Sequence, residues 1–254
     1  MKRLREPEIM ESPEEVVEYD DLARHKLSWI LESFASHILG TCPAWRRGVD
    51  LGTGTGELPR LLASKLKRSG DEAPRTIVGV DRSTGMLDVS RRLDVPENVD
   101  LRWVQADINR LPLEDNAFDL VVSHLAMHHL DDPVAFLNEV DRIAAPGATI
   151  LIRDVLRPPA RAVALIEKLL FTPGYSRYQR KMYYDSIRAA FTAEELTDAL
   201  RRSTLQDCRL ARYFITHVEI QRLGQGQSTE VGTDLPTLLS KFVFKWTRRV
   251  REVA

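Results

Sequence analysis

Short apolar runs alternate with amphipathic stretches through the middle of the chain. The apolar runs have the length and the composition of β-strands, and they fall at residues 47–51, 76–80, 99–104, 118–123 and 148–153. Apolar residues recur at helical spacing between several of these runs, in the segments 57–68, 84–93 and 133–144. Strands that alternate with helices predict βαβ units, a mostly parallel sheet and right-handed crossovers. The pattern therefore predicts an α/β protein with a doubly wound sheet.

The pattern changes on both sides of this region. Residues 14–39 carry apolar side chains at roughly helical spacing, which predicts a helix that can cover one edge of a ligand cleft. Residues 160–190 also look helical, but Pro173-Gly174 interrupts them, so we expect helical pieces inserted between core elements. After a capping-box helix at 192–202, two β-like runs within 208–222 predict a terminal hairpin.

These changes divide the chain into three parts. Residues 1–46 are expected to form an N-terminal helical cap, and residues 47–223 a central domain with a helical lid inserted at about 156–190. Residues 224–254 are a polar linker and a basic amphipathic helix. The apolar stripe of this helix is expected to dock on its own domain or on a second subunit, which would make a homodimer. Interfacial membrane binding is the less favoured interpretation.

The turn after the first strand carries the most specific chemistry. Val49-Asp50-Leu51 ends the strand, and Gly52, Gly54 and Gly56 then open a helix. A dinucleotide site has the spacing G-x-G-x-x-G, whereas this turn has G-x-G-x-G and places Glu57 where the third dinucleotide glycine would stand. The Asp50 carboxylate would repel a phosphate but attract a ligand that carries an ammonium group and a sulfonium. S-adenosylmethionine is such a ligand.

Acidic residues also end the next two strands. Asp81 follows the second strand, where a carboxylate can accept hydrogen bonds from both ribose hydroxyls. Asp107 follows the third, where it can accept one from the adenine amino group, while Met86 and Ile108 cover the ring faces. Since the carboxyl ends of parallel strands meet at one edge of a sheet, these side chains are expected to share one crevice.

Five sequence segments follow one another between about residues 47 and 154. They are VDLGTGTGE, VGVD, QADINRLP, NAFDLVVSHLAMHHL and APGATILIRD. In this order they resemble the class I S-adenosylmethionine-dependent methyltransferases. Within that family the chain looks like the small-molecule branch, which includes ubiquinone and menaquinone C-methyltransferases and natural-product O-methyltransferases.

The resemblance implies a Rossmann-like sheet of seven strands with a terminal antiparallel hairpin. It also implies that the glycine turn holds the methionyl part of the cofactor, Asp81 the ribose and Asp107 the adenine. The positions assigned to the cofactor are Asp50, Gly52, Thr53, Gly54, Gly56, Asp81, Arg82, Met86, Ala106, Asp107, Ile108 and Ser123.

Methyl transfer requires little from a protein beyond alignment, because the sulfonium is already a good leaving group. An acceptor hydroxyl or acidic carbon must also lose a proton, and histidine is the natural base near neutral pH. His128 and His129 come just past the fourth strand, and Asp154 ends the neighbouring fifth. The resemblance to natural-product O-methyltransferases implies that His128 is the base with Asp154 as its partner, and that His129 is the reserve. A structural role for these residues is the alternative.

Composition narrows the function further. The 254 residues suit one α/β domain with insertions, and the formal charge of −1 argues against nucleic acid as a partner. Cys42 and Cys208 lack the spacing of a disulfide framework or a zinc site. No group of His, Cys, Asp and Glu has metal-ligand spacing, so no metal is expected. A charged N-terminus and the absence of a long apolar run predict a soluble, cytoplasmic protein without a transmembrane segment.

The acceptor is expected to be a small molecule, aromatic or anionic, because the lid segment interleaves aromatic side chains with cations. The sequence favours O-methylation, with C- or N-methylation as the alternative. A second hypothesis is a protein that binds the cofactor but transfers nothing. A third is the transfer of a modified group from a derivative of S-adenosylmethionine.

Overall fold

A single seven-stranded sheet organises the protein. The computed structural model describes residues 1–6, 12–71, 73–92, 94, 97–213 and 216–224. In chain order the strands are β1 (Arg47–Leu51), β2 (Thr76–Asp81), β3 (Asp100–Gln105), β4 (Phe118–His124), β5 (Ala144–Val155), β6 (Arg209–Tyr213) and β7 (His217–Arg222). Their order across the sheet is β3-β2-β1-β4-β5-β7-β6, and β7 alone runs antiparallel to its neighbours. The predicted Rossmann-like, doubly wound sheet with a terminal antiparallel hairpin is confirmed.

The described residues also form eight α-helices. They are α1 (Pro13–Asp21), α2 (Ser28–Thr41), α3 (Glu57–Ser69), α4 (Thr84–Arg92), α5 (Val134–Ile143), α6 (Arg161–Phe171), α7 (Arg177–Ala189) and α8 (Ala193–Arg202). None of the helices in this part of the chain is long and apolar enough to cross a bilayer. The predicted helix within 224–254 lies outside the described residues.

Two predicted elements differ from those observed. The single helix expected at 14–39 is divided by a π-helical turn at Leu22–Lys26, because α1 packs against α4 and α7 whereas α2 packs against α3. The strand expected at 148–153 is longer at both ends, because Ala144 pairs with Phe118 of β4 and the antiparallel partner β7 pairs with β5 as far as Val155. Asp154 therefore lies inside a paired strand, opposite Val218.

Helices cover both faces of the sheet and bury alternate residues of its strands. Ile150 and Ile152 of β5 belong to the apolar cluster that contains Phe136 of α5. Leu151, between them, belongs to the opposite cluster with Phe34 of α2. Because successive side chains of a strand point to opposite faces, this division is what a central strand buried on both sides requires.

Strand register brings the carboxyl ends of the central strands to one edge. Leu51 of β1 pairs with Val80 of β2, and Val80 pairs with Val104 of β3. On the other side, Asp50 pairs with Val122 of β4. The chain segments that follow these strands therefore begin at nearly the same height and surround one crevice.

The lid region contains two helices, as the break at Pro173-Gly174 predicts. α6 and α7 lie on either side of this break and pack against each other. Tyr175 and Met182 pack with Leu22 of the π-helical turn, which joins this region to the N-terminal helices. The division of the chain into cap, domain and lid stays a prediction.

A buried ion pair joins β5 to β7 on the face of the sheet that α2 covers. Arg153 is fully buried and donates to Glu219 Oε2 from Nε at 2.9 Å and from Nη2 at 2.6 Å. Its guanidinium lies 4.4 Å from the ring centroid of Phe34 and 3.4 Å from that of Tyr213. The ion pair gives hydrogen-bond partners to most of the nitrogens of the guanidinium, whose charge would be costly to bury without a partner.

Candidate active site

The glycine turn between β1 and α3 has a backbone that only glycine adopts readily. Gly52, Gly54 and Gly56 have φ angles of 76°, 55° and 78°. The Gly52 and Thr53 amides both donate to the carbonyl of Val80, at 2.8 and 2.9 Å. These bonds hold the turn against β2 with its backbone facing the crevice.

Asp50 places a buried carboxylate beneath this turn. The side chain is 2% exposed, and its Oδ2 accepts a hydrogen bond from Thr53 Oγ1 at 2.7 Å. Burial raises the pKa of Asp50 to about 7, against the opposing effect of the Thr53 hydrogen bond, and the Asp81 carboxylate adds to the rise. A group with these properties is stabilised by a cation in the crevice.

A small cavity, partly open to solvent, adjoins Asp50 and the turn. Thr55 Oγ1 and His124 Nε2 are buried beside it and have no hydrogen-bond partner among the described residues. Burial, followed by the Arg153 charge, lowers the pKa of His124 well below its usual value, so this imidazole is neutral. Buried polar atoms are usually hydrogen-bonded, and a ligand or a water in this cavity could supply the partners.

Tyr19 of α1 closes the cavity from outside. A side-chain carbon added at Gly54 would lie 3.1 Å from Tyr19 Cε1, so the ring covers the turn directly. Burial raises the pKa of Tyr19, and the carboxylates of Asp81 and Asp50 raise it further. The predicted role of the N-terminal helices as a cover over the cleft agrees with this contact.

Asp81 is oriented by the glycine turn. Its Oδ2 accepts from the Gly54 amide at 2.8 Å and its Oδ1 from the Ser83 amide at 2.9 Å. Burial raises the pKa of this carboxylate despite these bonds. The Ala106 amide donates to the Asp81 carbonyl at 3.0 Å and so joins the end of β3 to the same edge.

The remaining predicted cofactor residues differ in how they are placed. Asp107 is exposed, and its Oδ1 accepts from the backbone and side-chain nitrogens of Asn109, both at 2.9 Å. Ser123 is buried, but its hydroxyl donates to the Leu51 carbonyl at 2.7 Å and so links β4 to β1. Met86 is buried, Ile108 and Ala106 are half-buried, and Arg82 is exposed. Hydrogen bonds thus connect Asp50 and Asp81 to the glycine turn, whereas Asp107 is exposed at the edge of the crevice.

His128 and Asp154 form a buried pair at the neighbouring strand ends. His128 Nδ1 lies 2.7 Å from Asp154 Oδ1, and the His128 amide donates to Asp154 Oδ2 at 2.8 Å. The residues are 4% and 1% exposed. Burial alone would lower the pKa of His128, but the Asp154 carboxylate outweighs it and raises the pKa. Burial would likewise raise the pKa of Asp154, but His128 and its hydrogen bonds lower it.

Glu6, like Thr55 and His124, is a candidate site residue that the sequence did not reveal. Its Oε2 lies 3.5 Å from His128 Nε2 and 3.4 Å from His129 Nδ1, and its side chain is 1% exposed. Among the described residues, these three side chains bring one potential metal-ligand atom each within 4.8 Å of one another. The expectation of no such grouping rested on spacing along the chain, and nothing in the charged N-terminal sequence marks Glu6 as a site residue.

Comparison with known proteins agrees with this geometry. Residues 49–152 match the family described as a methyltransferase domain. The demethylmenaquinone methyltransferase of Mycobacterium sp. (strain KMS) is 30% identical over 163 residues, which cover 62% of this chain and 68% of that protein. The chain belongs to the class I S-adenosylmethionine-dependent methyltransferases. Its cofactor is S-adenosylmethionine, as the sequence predicts.

Two further comparisons define the extent of the likeness. The demethylmenaquinone methyltransferase of Thermus thermophilus is 32% identical over 126 residues, covering 50% of the methyltransferase described here and 54% of its own length. The chain thus spans about half of that relative. The plantazolicin methyltransferase BpumL in complex with SAH superposes with a TM-score of 0.64 at 14% identity, over 85% of this chain and 93% of that one. At this identity the likeness concerns the fold.

The residues of this methyltransferase fit the cofactor. The carboxylate of Asp50 lies beneath the glycine turn and would complement the ammonium group and the sulfonium of the cofactor. Thr55 and His124 offer buried polar atoms at the same cavity. Tyr19 provides a wall on the solvent side.

Proposed function

We propose that this methyltransferase methylates a hydroxyl of a small-molecule acceptor and that His128 removes the proton. The observation that carries the proposal is the buried His128–Asp154 pair beside the cofactor crevice. S-adenosylmethionine supplies a methyl group on a sulfonium that is already a good leaving group. The protein must therefore align the acceptor, exclude water and take up one proton.

The pair has the arrangement of an oriented base. A carboxylate only accepts hydrogen bonds, so Nδ1 of His128 carries the proton that Asp154 Oδ1 accepts. The neutral imidazole then has its lone pair on Nε2, directed away from Asp154. When Nε2 takes the acceptor proton, the Asp154 carboxylate stabilises the imidazolium, which is consistent with the raised pKa of His128.

The cofactor residues are proposed to keep their predicted roles. Asp50 and the glycine turn hold the methionyl part, Asp81 the ribose hydroxyls and Asp107 the adenine amino group. His129 stands beside His128, with ring centroids 4.2 Å apart, and is proposed as the reserve base. A soluble, cytoplasmic enzyme and a homodimer through the C-terminal segment remain part of the proposal.

Methylation on carbon is the second candidate. Both relatives described above are demethylmenaquinone methyltransferases, and the sequence motifs resemble quinone C-methyltransferases. A phenolate produced by His128 would carry negative charge on oxygen and on the ring carbons beside it. The same base therefore serves either reaction, and the position of the acceptor relative to the methyl group decides between them.

The lid gives limited support for an aromatic or anionic acceptor. Tyr184 lies 5.0 Å from Lys168 and 5.1 Å from the Arg188 guanidinium, measured to its ring centroid. Tyr175 is buried against Met182. These aromatic side chains pack within the lid, and exposed cations such as Arg161, Arg177 and Arg180 are proposed to attract an anion.

A labelled-methyl assay tests the proposal. The protein is incubated with S-adenosylmethionine carrying a ¹³C-methyl group and a panel of phenols, sugars and quinols, and products are read by NMR, which separates oxygen-bound from carbon-bound methyl. We expect an oxygen-bound methyl, and we expect His128→Asn to lower its rate by about 10²–10⁴-fold. Full activity in His128→Asn would show that His128 is not the base. Tight binding of S-adenosylhomocysteine with no product from any acceptor would favour a binding protein instead.

A further inference from the structure

The first six residues, Met1 to Glu6, form a segment that is fastened beside the His128–Asp154 pair. Arg3 is its main anchor. The Arg3 guanidinium donates to the carbonyls of Ala189 at 2.6 Å, Asp131 at 2.9 Å and His128 at 3.0 Å. It also lies 3.8 Å from the ring centroid of Phe191. Arg3 thereby joins the end of α7 to the turn that carries His128.

Other contacts fix the segment along its length. The Leu4 amide donates to the Arg188 carbonyl at 3.1 Å, and the amino group of Met1 donates to the Pro159 carbonyl at 2.7 Å. Arg5 forms an ion pair with Asp131. The segment is therefore placed by backbone acceptors on three different parts of the fold, which gives the next side chain a defined position.

That next side chain is Glu6, and it faces the reactive side of the His128 ring. Asp154 holds Nδ1 of the ring, while Glu6 Oε2 lies 3.5 Å from Nε2, the atom that takes the acceptor proton. Ser186 Oγ donates to the Glu6 carboxylate at 3.3 Å. The 3.5 Å separation from Nε2 is longer than a hydrogen bond.

We infer that Glu6 is a specificity-determining residue that accepts a hydrogen bond from a second hydroxyl of the acceptor, next to the hydroxyl that His128 deprotonates. The inference rests on the proposed function of His128. It names the substrate class as compounds with two hydroxyls on adjacent carbons, such as catechols or vicinal diols. The reacting hydroxyl gives its proton to Nε2 and its oxygen receives the methyl group, while the second hydroxyl keeps its proton and donates to Glu6.

Distance supports this assignment. The oxygens of two neighbouring hydroxyls lie about a hydrogen-bond length apart, roughly 2.8 Å. Nε2 of His128 and Oε2 of Glu6 are 3.5 Å apart, so one such pair can meet both atoms at once. An acceptor with a single hydroxyl would reach His128 but would lack this second, charge-assisted hydrogen bond to Glu6.

Charge supports it as well. Among the described residues, the titratable and charged groups that face His128 are Asp154 from β5, Glu6 and Arg3 from the N-terminal segment, His129 from its own turn, and His124 from β4. A second carboxylate on the reactive side favours neutral proton donors and disfavours an anionic substituent at that place. It also raises the pKa of His128, so removing it should alter the titration of the base.

The test compares wild type with Glu6→Gln and with Glu114→Gln, a matched change at a side chain that is 82% exposed. Binding of catechol and of phenol to the complex with S-adenosylhomocysteine is measured by calorimetry with EDTA present. We expect wild type and Glu114→Gln to bind catechol about 10- to 100-fold more tightly than phenol, as one hydrogen bond to a charged group allows. Glu6→Gln should remove most of this preference and leave phenol binding unchanged.

The NMR titration of His128 in the same proteins is the second measurement. Glu6→Gln should lower the pKa of His128, whereas Glu114→Gln should not. Equal binding of the two probes by wild type, binding of neither, or an unchanged preference in Glu6→Gln would overturn the inference. So would a catechol preference that appears only with a divalent metal and is lost in EDTA, since Glu6, His128 and His129 would then hold the metal.

The two proposals fail in different ways. A catechol preference that depends on Glu6, together with full methyl transfer in His128→Asn, would count against His128 as the base and leave Glu6 as an acceptor-binding residue. Equal loss of catechol and phenol binding in Glu6→Gln would mean that Glu6 only shapes the fold. Unchanged binding of S-adenosylhomocysteine in each variant shows that the cofactor site is folded.

Discussion

The buried carboxylate of Asp50 should make cofactor binding depend on pH. In the ligand-free protein the pKa of Asp50 is about 7, because the side chain is removed from water. A ligand with an ammonium group binds the ionised form, so affinity should rise with pH up to about 7 and then level off. Each pH unit below 7 should weaken binding by about tenfold, or 1.36 kcal/mol. At pH 5 the loss would be about 100-fold.

The same raised pKa destabilises the ligand-free fold. The pKa of this carboxyl rises from 3.8 in the unfolded chain to about 7, so the folded state favours the protonated form. Stability is therefore lost as pH increases from about 4 to about 7. A rise of about three pKa units at 1.36 kcal/mol each amounts to roughly 4 kcal/mol. Asp50→Asn should be more stable than wild type above pH 7, yet should bind the cofactor more weakly.

Calorimetry with S-adenosylhomocysteine between pH 5 and pH 8.5, combined with thermal unfolding, measures both effects. Asp107→Asn is the matched control, because Asp107 belongs to the same predicted site but is exposed. Asp81 has a raised pKa too, so the slope should shrink in Asp50→Asn without vanishing. A flat profile in wild type, an undiminished slope in Asp50→Asn, or an Asp50→Asn protein less stable than wild type at pH 8 would refute the reasoning.

Three further outcomes are expected. Gly52→Ala should abolish binding of S-adenosylhomocysteine in calorimetry, because the added Cβ would overlap that of Ala126 at a φ of 76°; wild-type affinity would contradict this. Asp154→Asn should lower kcat by about 10²–10⁴-fold with cofactor affinity unchanged, because the base loses its orienting acceptor; an unchanged rate would make the pair structural. Glu219→Gln should cost about 3–5 kcal/mol in urea unfolding, because Arg153 stays buried without its partner; a loss below about 1 kcal/mol would show that the pair is not stabilising.

The cofactor half of the site was accessible from sequence because its chemistry is local. Asp50 and the glycine turn are adjacent in the chain, and glycine is the residue that permits the positive φ angles found at three positions of this turn. The pairing of His128 with Asp154 was also predicted, since β4 and β5 are neighbours in a sheet of this family and both residues lie near strand ends. The contact between Tyr19 and Gly54 depends on how α1 packs over the turn.

By itself, then, the sequence determined the strands, the order of acidic residues along the sheet edge and the class of cofactor. These depend on hydrophobic period and turn chemistry, which act over a few residues. Only the tertiary structure decided the division of the helix at 14–39, the use of the Ser123 hydroxyl within the sheet, and the place of Glu6. Glu6 is brought to His128 by Arg3, whose backbone acceptors lie more than a hundred residues away in sequence. Contacts between residues so far apart in sequence depend on how the helices and strands pack against one another, and no local pattern in the first six residues encodes them.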